Sequence, residues 1–153
     1  MVRTNTWTPT CTWGTADPSP LTTVAEYWLV NGGVLFSVSI STTDGNAASS
    51  LTISLPVIPA ELEIKVPVNA WATVDGTTTN VIGYVDGADN TEANRTVKFL
   101  NWQTWTNAKV CSLQVTGWYP LDGAMATFTA SETWATGTPT SITEVALYKV
   151  IDS

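Results

Sequence analysis

The side chains with the most chemical capacity in this chain are indoles and amides. Eight tryptophans stand among 153 residues. One stretch, Asn101-Trp102-Gln103-Thr104-Trp105-Thr106-Asn107, sets two of them among three amides. A sugar ring presents apolar C–H faces that stack on an indole, while Asn and Gln bond its hydroxyls. Asn101, Trp102, Gln103, Trp105 and Asn107 therefore form a candidate glycan patch. The size of an indole argues the other way. Trp28, and one aromatic of each close pair (Trp102 with Trp105, Trp118 with Tyr119), carry enough apolar area to belong in a core or a subunit interface.

Carboxylates come second. The turn Asp86-Gly87-Ala88-Asp89-Asn90-Thr91-Glu92 collects oxygen ligands of the kind Ca²⁺ takes. It lacks the spacing of an EF-hand, and Asp-Gly and Asp-Asn are ordinary turn residues. No metal and no other cofactor is expected, Asp86 and Asp89 being the weak candidates. Glycosidases need two carboxylates about 5–10 Å apart. Glu26, Glu132 and Glu144 lie on or near expected strands, but nothing selects a pair. Histidine is absent. That removes Ser-His-Asp and Cys-His catalysis and imidazole metal sites together. The expectation is a protein without catalytic activity. Cys11 and Cys111 can form one disulfide, pinning the N-terminal arm to a central strand, or stay as two free thiols. Asn94-Arg95-Thr96 matches the N-glycosylation pattern, which chance supplies often.

The charge balance narrows the partners. Thirteen acidic residues face six basic ones, a net charge of −7. The basic residues are scattered, so nucleic acid and anionic membrane are disfavoured. No apolar run approaches the roughly 18–20 residues that span a bilayer, so no membrane insertion is expected. Residues 1–10 show no apolar segment of a secretion signal.

The elements that must carry these side chains are strands. Charged residues are only 12% of the chain, and Thr and Ser number 27 and 11. β-branched and aromatic residues fit a pleated, half-buried surface. Asn31-Gly32-Gly33 marks a hairpin turn between Glu26–Val30 and Val34–Ser41. In the second of these strands Phe36, Val38 and Ile40 face one way and Ser37, Ser39 and Ser41 the other. Further strands are read at 51–55, 69–74, 81–85, 96–102, 110–118, 124–134 and 143–151, with a hairpin loop at 75–80. The prolines at 56, 59 and 67 make 57–68 an extended crossover or broken edge strands. The fold class is all-β, a jelly-roll-like antiparallel β-sandwich of about eight to ten strands. Residues 1–22 read as an N-terminal arm or edge segment and 23–153 as one sandwich domain, with 124–153 as an added strand pair. Uncharged Ser and Thr faces, without the Lys and Glu of a solvated sheet, suggest contact with protein in a symmetric oligomer.

The order of short motifs resembles the β-sandwich heads of tailed-phage tail fibres and related virion structural proteins. The residues that carry it are Thr6-Trp7-Thr8-Pro9-Thr10, the hairpin from Glu26-Tyr27-Trp28 to Phe36-Ser37-Val38, Leu51-Thr52-Ile53-Ser54-Leu55-Pro56, and Leu113 to Tyr119 as a closing strand. It covers about residues 6–119. Trp28 departs from the pattern, and so do the residues after Tyr119. The resemblance implies a virion or extracellular protein, commonly a homotrimer, whose outer loops or edges touch host-surface glycan or other virion proteins. Its rivals are a capsid decoration protein and a carbohydrate-binding module.

Overall fold

A computed structural model describes residues 4–59, 65–87, 95–121, 126–127 and 147–148. Every ordered element among them is a strand. They are β1 (Asn5–Thr6), β2 (Cys11–Trp13), β3 (Leu21–Val30), β4 (Gly33–Thr42), β5 (Leu51–Ser54) and β6 (Lys65–Val74). β7 (Thr77–Asp86), β8 (Thr96–Phe99), β9 (Cys111–Pro120), β10 (Ala126–Thr127) and β11 (Leu147–Tyr148) follow. The first nine make one antiparallel sheet in the order β1-β3-β4-β9-β6-β7-β8-β5-β2, and β10 pairs with β11 separately. The expected all-β antiparallel fold is thus present, as a single sheet curled into a half-barrel.

Chain length alone requires the curl. Laid flat, nine strands span eight spacings of about 4.8 Å, or about 38 Å. Yet β1 and β2, at opposite ends of that sheet, are joined by residues 7–10. Five residue steps reach about 18 Å at most. The two rims must come together, and apolar side chains fill the space they enclose.

The pattern of residues decides which face turns inward. Val34, Phe36, Val38 and Ile40 of β4 are fully buried or nearly so, as are Leu113, Val115 and Tyr119 of β9. Val68, Ala70, Ala72 and Val74 of β6 join them, with Val81 and Val85 of β7. Burying one such Val, Leu, Ile or Phe side chain contributes about 1.5–3 kcal/mol. Tyr119 ties the curl across its interior, its hydroxyl donating to the Val57 carbonyl beyond β5 at 2.6 Å.

Two hairpins organise the centre. β3–β4 turns through Asn31-Gly32 (φ 51° and 69°) and β6–β7 through Asp75-Gly76 (φ 49° and 81°). Both are two-residue loops, Val30 pairing with Gly33 and Val74 with Thr77. Positive φ at both central positions is the geometry that matches strand twist. The second hairpin differs from the sequence reading, which put a loop at 75–80. The turn takes only two residues, and Thr77, Thr78 and Thr79 continue the strand, as β-branched residues favour. β6 also begins earlier than expected, with Pro67 inside it. Pairing of β6 with β9 stops at Asn69, so Pro67 sits where β6 has a neighbour on the β7 side only.

Candidate functional site

The segment between β8 and β9 carries the predicted glycan patch, and the structure takes Trp105 inside while Asn101, Gln103 and Asn107 stay exposed. Trp105 is 0% exposed. It packs at 5.0 Å between ring centroids from Trp13 and 5.6 Å from Trp102, while Phe99 lies 5.5 Å from Trp102. The backbone N–H of Trp105 and the indole N–H of Trp102 both donate to the Ala48 carbonyl, at 3.0 and 3.1 Å. The fit is close: a Cβ on Gly45 would stand 2.8 Å from Trp105 Cβ and 2.6 Å from the Thr106 carbonyl oxygen. Trp105 is therefore no stacking platform, which corrects the expectation drawn from its sequence neighbours. Trp102 is half-buried in the same aromatic cluster.

Two amides of the patch, Asn101 and Gln103, serve the sheet. Asn101 Oδ1 accepts from the Ile82 backbone N–H, and Asn101 Nδ2 donates to the Asn80 carbonyl. With β8 ending at Phe99, this side chain takes over the pairing of β7. Gln103 Oε1 accepts from Thr79 Oγ1 at 2.9 Å. Asn107 stays exposed in a turn whose next residue, Ala108, has φ 54°. Asp44 Oδ1 anchors that turn by accepting from the Ala108 and Asn46 backbone N–H groups.

Asp86 pairs with Lys98 at 2.8 Å, and Asp89 lies outside the described residues. No cluster of three metal-ligating side chains occurs among the described residues. Glu26 is half-buried on β3 opposite Ser37; Glu132 and Glu144 lie outside the described residues. Cys11 and Cys111 are free thiols, so the disulfide alternative is not realised. They sit on β2 and β9, five places apart in the strand order. Burial pushes the Cys11 thiol up to about 11. Burial also raises Cys111, aided by Asp44 and Asp75 and opposed by a backbone hydrogen bond at Thr106.

What sequence reading missed is on the outer face of the sheet. Alternation in β6 buries Ala70 and Ala72, so Trp71 between them points outward, 42% exposed. Pairing sets Trp71 opposite Gln114 of β9 and Asn80 of β7, with Ser39 of β4 beyond Gln114. Asn69 and Thr73 flank it along its own strand, and Ile82 stands opposite Asn69. Residues 37–41, 69–73, 78–82 and 112–116 contain no ionisable side chain of any charge type among Asp, Glu, Lys and Arg. At the β1 rim of the sheet the β3–β4 hairpin exposes four large apolar residues, Val24 and Leu35 on the outer face and Leu21 and Leu29 in register with the inward-facing Ala25 and Val34. There β1 pairs only with Glu26 and Tyr27, leaving Leu21–Val24, which pair with β4 on their other side, with no strand on the rim side among the described residues.

No helix among the described residues is long and apolar enough to cross a membrane. No family model, curated protein or solved structure matches the chain.

Proposed function

We propose that this chain is a non-catalytic structural module of a phage virion, a tail-fibre-type head that assembles as a homotrimer and binds its target through repeated weak contacts. The observation that carries the reading is the distribution of groups on the outer sheet face. An ordinary solvated sheet spreads Lys and Glu over that face. Here its centre is uncharged, and the hairpin at its rim exposes the large apolar side chains Val24 and Leu35 on the same face. Such a rim suits a subunit contact, and the rim side of Leu21–Val24, where no described strand pairs, offers backbone groups to it. The motif order from Thr6 to Tyr119 supports the virion assignment. Three sites on one rigid assembly raise avidity about 10²–10⁴-fold over a single site.

The test is solution mass by light scattering, followed by cell binding. Wild type is expected at three times the chain mass, and a Val24→Glu, Leu35→Glu double variant as a folded monomer. A wild-type monomer at micromolar concentration overturns the trimer. Binding to empty capsids instead of bacterial cells assigns the chain to capsid decoration.

A further inference from the structure

Seven of the eight tryptophans lie among the described residues, and six have a structural occupation. Trp13, Trp102 and Trp105 pack on one another. Trp7 packs edge-on against Tyr27 and Phe36. Trp28 donates its indole N–H to Thr4 Oγ1, and Trp118 donates to the Val30 carbonyl while covering Gly33. Trp71 alone among them makes no ring contact and no indole hydrogen bond with a described residue, and it lies outside the core cluster. With the exposed Ile82 diagonally across on β7, Trp71 forms an apolar patch in the middle of an uncharged sheet face.

We propose that Trp71 is the stacking platform of a carbohydrate site, with Gln114 and Asn80 as its hydroxyl-binding flanks and an uncharged hexopyranose as its ligand. The inference rests on the binding role proposed above and gives it a place and a ligand class. Neighbouring strands stand about 4.8 Å apart, so amides directly opposite Trp71 sit where the equatorial hydroxyls of a ring stacked on the indole would reach. Gln114 Nε2 already donates to Ser39 Oγ at 2.8 Å. That bond occupies the amide nitrogen and leaves the carbonyl oxygen as the acceptor. Asn69 and Thr73 extend the polar surround along β6, and Ile82 widens the apolar floor toward β8. The charge pattern selects the occupant. With no cation nearby, a sialylated or sulfated sugar gains no ion pair, whereas a neutral one loses none of its hydrogen-bonding capacity.

The test uses the full chain on an array of neutral gluco-, galacto- and manno-oligosaccharides printed beside sialylated and sulfated ones. Wild type is expected to bind neutral members. Trp71→Ala is expected to lose at least about tenfold in affinity with the melting temperature and solution mass unchanged, Trp71→Phe to keep part of it, and Gln114→Ala to lose several-fold. Absence of signal from any neutral saccharide overturns the site, whether or not the chain is trimeric. Preference for the anionic members overturns it too. If Trp71→Ala lowers the solution mass, the residue belongs to a subunit contact and the proposal fails. A monomer that binds neutral sugar through Trp71 keeps the site and rejects the trimer.

Discussion

An indole closed in on every side gives up a partner for its N–H. Trp105 Nε1 is buried with no hydrogen bond from the described residues, as is Trp7 Nε1. Packing must outweigh that loss, and the ring contacts around Trp105 show how. Truncation there leaves a large cavity that Gly45 and Trp13 cannot fill. Trp105→Ala is expected to cost about 3–5 kcal/mol, a large part of a typical domain's stability. A denaturant titration reads this directly, and a loss below about 1 kcal/mol would contradict the packing described. The same residue shows that exposure is not legible from neighbours along the chain. Asn101-Trp102-Gln103 looks like a binding surface when neighbours are counted along the chain. In a sheet the neighbours that matter lie across strands, and Trp71 meets its amides only through pairing with β9 and β7.

At the scale of elements, strong alternation was readable and weak boundaries were not. The Phe36-Val38-Ile40 face of β4 follows directly from period two, and Asn31-Gly32-Gly33 marks its turn. The outward position of Trp71 was legible by the same rule, since Ala70 and Ala72 flank it. Alanine is a weak apolar signal, however, and Pro67 disguised the start of the strand. The bounds of β7 were hidden by a Thr run that suits loop and strand alike. Asn101 illustrates a task that no motif announces, a side chain finishing the pairing of β7 beyond the end of β8. Asn101→Ala is expected to cost about 1 kcal/mol and to speed hydrogen exchange at the Ile82 amide about fivefold. An unchanged exchange rate there would show that the side chain adds nothing to strand pairing.

For the whole molecule the available handle is alkaline pH. Burial raises Cys11 from 9.0 to about 11, and it lifts the Tyr119 hydroxyl well above the usual phenol range, against the opposing effect of its bond to Val57. Both groups are neutral when protonated, and the fold disfavours their anions. A folded-state value above the unfolded one means stability present in full below the unfolded value and lost as pH rises. Melting temperature is therefore expected to stay level up to about pH 9 and to fall as pH climbs toward 11. Cys11→Ala should move the onset of that fall upward. A melting temperature unaffected through pH 11 would mean that these groups are hydrated in the native state.

The short stretch from Asn5 to Trp13 supplies both border strands, pairing with β3 on one side and β5 on the other. Ser54 reinforces the second of these contacts by bonding Thr10 through both its backbone N–H and its hydroxyl. One small piece of polypeptide thus works as a clasp over the seam of the half-barrel. Severing it between Thr6 and Cys11 would unfasten both borders together and leave two raw margins, each able to accept the matching piece from a sister copy.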